Sequence, residues 1–66
     1  MRAIINEAGC RILEIEGNTS AIVCTIAGYI YSKGGLGKFT DALNIGRNAV
    51  DRKSLFIDET CQVFIE

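Results

Sequence analysis

The run from Ala21 to Tyr31, Ala-Ile-Val-Cys-Thr-Ile-Ala-Gly-Tyr-Ile-Tyr, lies in the longest uncharged stretch of the chain, and most of what can fold around it follows from it. It is rich in β-branched and aromatic residues and free of proline, which predicts a long buried strand. In such a strand Ile22, Cys24, Ile26 and Ile30 share one face, and Ala21, Val23, Thr25, Ala27, Tyr29 and Tyr31 share the other. A strand apolar on both faces needs cover on both. Its eleven residues would reach about 36 Å at about 3.3 Å each, longer than a small domain normally uses. Gly28 is therefore expected to bend it.

The flanking segments read as shorter strands. Arg2 to Asn6 carries the apolar run Ala3-Ile4-Ile5, and Glu7-Ala8-Gly9 supplies a turn whose glycine can take a positive φ. From Cys10 to Glu16 the alternation sets Leu13 and Ile15 on one side and Glu14 and Glu16 on the other, the pattern of a half-buried strand. Gly17-Asn18 matches a glycine-first hairpin turn into the long strand. Residues 33–38, with three glycines, read as a loop. Residues 39–46 read as a short helix or an irregular crossover, with Thr40 as cap, Asp41 at the positive end of the dipole and Gly46 as stop. Arg47 to Ser54 is polar and turn-like. Ser54–Asp58 and Cys61–Glu66 then form a terminal hairpin across Asp58-Glu59-Thr60. Phe56 and Phe64 fall on its otherwise polar faces, which points to a second core layer or an interface.

The predicted architecture is a single small β-rich domain over residues 1–66. It is mostly β, a small five-stranded antiparallel sheet or barrel with one short helix or irregular crossover between strands 3 and 4. That inventory also fits an oligonucleotide-binding barrel, by element count alone.

A chain of 66 residues buries only about 60% of its unfolded surface, so its core is marginal. With 48% hydrophobic residues, the apolar surplus predicts a homo-oligomer. Cys10, Cys24 and Cys61 form no CxxC pair and there is no histidine, so no metal site is expected. Reduced core thiols in a cytoplasmic protein are the direct reading. Ala8-Gly9-Cys10 resembles a lipoprotein cleavage site, but Glu7 stands where an aliphatic residue is needed. No apolar run approaches the roughly 20 residues of a membrane span, so no membrane association is expected.

Charge is distributed unevenly. Residues 33–53 hold five basic and two acidic residues, a net +3, whereas the remainder holds two basic and six acidic, a net −4. A glycine-rich loop with flanking lysines has the ingredients of an anion site: exposed N–H groups and positive charge. The candidate ligand residues are Tyr29, Tyr31, Lys33, Gly34, Gly35, Gly37, Lys38, Thr40 and Arg47, with the aromatics placed to stack on a base. The segment is not a P-loop, because Ser32 holds its first glycine position and Phe39 follows Gly37-Lys38 where a hydroxyl residue is required.

Without histidine, Ser-His and Cys-His devices are excluded, and Glu14 with Glu16 reads as a solvated face. The expected function is a non-enzymatic small oligomeric binding protein, without a cofactor. Its segment 33–53 would bind or sequester an anionic ligand such as a nucleotide or short nucleic acid. The net charge of −1 argues against broad duplex binding. The alternative is a protein-interaction module, a small inhibitor or adaptor, docking through a sheet edge or the Phe56/Phe64 face.

Overall fold

A computed structural model of the chain describes residues 1–34 and 37–66. The elements are β1 (Arg2–Glu7), β2 (Cys10–Glu16), α1 (Thr19–Ser32), α2 (Phe39–Arg52), β3 (Ser54–Phe56) and β4 (Cys61–Ile65). The strands form a four-stranded antiparallel sheet in the order β2-β1-β4-β3. The expected five-stranded, mostly β sheet or barrel is therefore corrected to a mixed α/β fold with two helices and an open sheet.

Residues 21–31 are helix and not strand. Ile22, Ile26 and Ile30 recur every four residues and pack with Ala3, Ile5, Cys61 and Val63. Val23 and Ala27, one position further on, are buried as well. Each residue of an α-helix turns by about 100°, so these are two neighbouring stripes of one cylinder. Two-sided burial satisfies a strand and a helix alike, and the start of the segment decides between them. Asn18 Oδ1 accepts the Ala21 N–H at 2.8 Å, so Gly17-Asn18 opens a helix where a hairpin turn was expected. Gly28 bends nothing; it lies exposed in the helix.

α2 likewise runs past its expected stop at Gly46 and through the stretch after Arg47 expected to turn. A Cβ at Gly46 would lie 2.8 Å from the Val23 carbonyl oxygen and 3.5 Å from the Ala27 nitrogen. This glycine thus marks a close approach of the two helices, and Ala42 and Ala49 extend the buried small-residue stripe on either side. Thr40 does not cap the helix; Lys38 holds that position, with no side-chain hydrogen bond. Asp41 in the first turn and Arg52 in the last complement the helix dipole.

Both hairpins form. Ala8 at φ 53° and Gly9 at φ 79° turn β1 into β2, and the register skips Ile12 as a bulge between Arg11 and Leu13. The terminal hairpin is shorter than expected. Its turn is shaped by the Asp58 carboxylate, which accepts the Thr60 N–H at 2.8 Å and the Cys61 N–H at 2.9 Å. Of the cysteines only Cys61 is buried, which corrects the expectation of three core thiols.

The helices cover one face of the sheet only. That face supplies Ala3, Ile5, Leu13, Ile15, Leu55, Val63 and Ile65 to the core. The chain exposes 4072 Å², close to the about 4,100 Å² expected of a compact chain of this mass. The two glycines of the helix pair offer a direct test. Gly46→Ala should lower stability in urea unfolding by ~1–2 kcal/mol, because overpacking against backbone outweighs helix propensity. Gly28→Ala, with nothing within 4 Å of the added methyl, should raise it by ~0.5–1 kcal/mol. A Gly46→Ala protein as stable as the parent would rule out the close crossing.

Candidate functional site

Of the nine expected ligand residues, seven lie around the C-terminal end of α1 and the start of α2, and Arg47 lies in the body of α2. Tyr29 and Tyr31 lie on the last turn of α1, and Lys33 is its C-cap. Gly34 takes φ 84° and donates its N–H to the Tyr31 carbonyl at 3.1 Å, as a glycine closing a helix does. Gly35 lies outside the described residues. Gly37, Lys38 and Thr40 are exposed at the start of α2, and Arg47 is exposed further along it. Thr40 and Arg47 are about 10 Å apart along the helix axis. The Tyr31 and Phe39 rings meet edge to face at 5.4 Å, so these aromatics engage each other across the helix pair.

Lys33 is engaged within the fold. Its Nζ lies 2.5 Å from Glu7 Oε1, 3.7 Å from Asp58 Oδ2 and 5.5 Å from the Tyr29 ring centroid. The cluster pins the C-terminal end of α1, where a cation also suits the dipole, to the end of β1 and to the β3–β4 turn. The hydrogen bond from Lys33 holds the Glu7 carboxyl below its ordinary value, and the same bond raises the Lys33 ammonium. The Thr60 N–H lowers Asp58. Burial pushes the Tyr29 phenol up to about 12 and raises the Cys61 thiol. The Tyr29 hydroxyl is buried without a hydrogen-bond partner among the described residues.

The face of the sheet turned away from the helices is the other candidate. Strand alternation sends Arg2, Ile4 and Asn6 of β1, Arg11, Glu14 and Glu16 of β2, Phe56 of β3, and Gln62 and Phe64 of β4 to this side. At one end Arg2 bridges Glu66 and Glu14, the latter at 3.0 Å. Ile4 lies between Glu14 and Phe64 in register and is only 6% exposed. At the other end Phe56 is 72% exposed, and Ile12, in the bulge at that end, is 45% exposed. Beside Phe56 a cleft of about 170 Å³ is lined by Asn6, Gly9, Glu59, Thr60, Cys61 and Gln62. None of the eight expected ligand residues that the structure describes lines it.

Phe56 and Phe64 share the uncovered face, whereas Glu7 and Asp58 are expected from the sequence only as turn residues, and Asn6 and Gln62 not as site residues at all. Glu7 had a signal: it shares the inward parity of Ala3 and Ile5 and so requires a partner charge. Asp58-Glu59-Thr60 also has the form of a side-chain-capped turn. The meeting of Asn6 with Gln62 had none, since it depends on β1 pairing with β4 across nearly the whole chain.

The Lys33 cluster predicts a pH profile. Glu7 and Asp58 have depressed folded values, so their contribution is present above the unfolded values of about 4.3 and 3.9 and is lost as pH falls through the folded ones. Lys33 and Tyr29 have raised values, so their contribution is present below about 10 and is lost as pH rises further. The urea midpoint should form a plateau that falls on both sides, and Glu7→Gln should lower the plateau and flatten the acid limb. An unchanged acid limb in Glu7→Gln would show that the pin does not form. No family model matches the chain, nor does any curated protein or solved structure, so the site rests on the chain's own residues.

Proposed function

We propose that this chain is a non-enzymatic protein-interaction module that docks through the uncovered face of its sheet. Phe56 carries the reading: a phenylalanine 72% exposed, with Phe64 on the same face, loses apolar surface to water unless another chain covers it. Burying a side chain of that size is worth ~1.5–3 kcal/mol, enough to make it an anchor. The face is preferred to the sheet edges. β2 carries Arg11, Glu14 and Glu16 and a bulge, and β3 has three residues, features that discourage strand addition.

Charge indicates the chemistry of the partner. The open face and its rim hold Arg2 and Arg11 against Glu14, Glu16, Glu59 and Glu66, a net −2. Lys38, Arg47, Arg52 and Lys53, against Asp41 and Asp51, put the basic charge on α2 and its caps, behind the sheet. An acidic face repels phosphates, so its phenylalanines are poor platforms for nucleic acid. It favours a protein segment with basic and apolar side chains. The anionic ligand expected of residues 33–53 has weaker support, because Lys33 is already paired and Lys38 and Arg47 lie along an exposed helix.

Selection from a random peptide display library, run in parallel on the parent protein and on Phe56→Asp, tests this. The parent should enrich peptides in which Arg or Lys neighbours apolar residues, and their affinity should fall at least about tenfold on Phe56→Asp. Enriched peptides that bind both proteins equally would refute the docking face. Loss of self-association in Phe56→Asp without any peptide enrichment would refute it too, and would assign the face to a second copy of the chain.

A further inference from the structure

We propose that the cleft beside Phe56 is a subsite for one arginine side chain of the partner, an inference that rests on the docking reading above. Its size excludes most alternatives. About 170 Å³ is well below the roughly 300–1,000 Å³ of pockets that enclose nucleotides or cofactors, and suits a single side-chain headgroup.

The lining matches a guanidinium. Asn6 and Gln62 lie directly opposite each other on β1 and β4 and line the cleft together. No hydrogen bond within the described residues engages either amide, so both side-chain oxygens are available as acceptors. Phe56 offers its ring, and Thr60 a hydroxyl oxygen whose proton is donated to Asp58 Oδ1 at 2.9 Å, leaving it as an acceptor. Glu59 is the formal charge of the lining and has no basic partner within 4 Å among the described residues. The nearest cation by register, Arg11 opposite Asn6, is directed to Glu14 at 3.5 Å. Gly9, with nothing within 4 Å of its missing side chain, keeps one wall low.

A planar, weakly hydrated guanidinium with five donors can stack on the ring while bonding to both amide oxygens and to the Glu59 carboxylate. An ammonium satisfies fewer of these groups and is more strongly hydrated. A carboxylate or phosphate would meet Glu59 with no compensating charge in the lining.

The test follows the side-chain amide resonances of Asn6 and Gln62 in isotope-labelled protein, titrated with N-acetyl-arginine amide. N-acetyl-lysine amide and the neutral isostere N-acetyl-citrulline amide serve as comparisons. The arginine probe should shift both amides saturably, the lysine probe less, and the citrulline probe not at all. Glu59→Gln should weaken the arginine response by about 2–5-fold, the size of an exposed ion pair. Equal responses to arginine and citrulline, or an unchanged response in Glu59→Gln, would overturn the subsite. If displayed peptides still require Phe56 while the arginine probe leaves both amides unmoved, the subsite falls and the docking face stands. If neither responds, both fall.

Discussion

A sheet of four strands in a chain of 66 residues leaves little material with which to cover it. α1 meets that requirement by burying two stripes at once. Ile22, Ile26 and Ile30 lie against Ala3, Ile5 and Val63, and Val23 and Ala27 lie against α2. The second contact is possible because Gly46 has no side chain at the crossing, where any Cβ would meet the Val23 carbonyl oxygen at 2.8 Å. Close approach lets both helices reach the same side of the sheet, since a bulky residue would push α2 outward and expose Ala49 and the flank of the core. The Lys33 cluster then fixes the far end of α1 to β1 and the last turn. Because both helices lie on one side, the opposite face of the sheet is left bare.

Electrostatics follow the same division. The sequence separates a basic middle from acidic ends, and the fold converts that order along the chain into two sides of a molecule. The basic residues lie on α2 and its caps, and the acidic ones border the open face and its rim. A contiguous basic stretch is thereby spread along an exposed helix, with one of its lysines neutralised by Glu7 and Asp58. The concave site lies instead where the two hairpin turns meet, formed from residues near both ends of the chain.

How much of this was legible varies with the range of the interaction involved. The hairpins were readable because period-2 alternation and turn chemistry are local: Leu13 with Ile15, Gly9 at positive φ, Cys61 with Val63. The same parity put Phe56 on the face away from Leu55 but left a second core layer and an interface both open; its exposure comes from the fold. Residues 21–31, expected as a strand covered on both faces, form a helix buried along two neighbouring stripes with Ala21, Cys24, Gly28 and Tyr31 exposed, since β-branched residues favour strands in isolation while tertiary burial overrides that preference. The deciding residue, Asn18, is a turn former and a helix cap alike. Gly46 misled for a related reason: glycine commonly ends helices, and here it lies inside one because a second backbone approaches. The cleft was not legible, because Asn6 and Gln62 meet only through strand pairing between the two ends of the chain.

One face of the sheet is sealed by α1 and the other is open. Paramagnetic relaxation of isoleucine methyls and phenylalanine ring protons by a neutral, soluble gadolinium chelate at low protein concentration measures both faces together. Ile5, Ile22 and Ile26, each 0% exposed, should be barely relaxed, while Ile12 and Phe56 should be relaxed strongly. Strong relaxation of Ile22 and Ile26 would contradict the buried helix. Protection of Ile12 and Phe56 equal to that of Ile26 would contradict the open face, and with it the docking function.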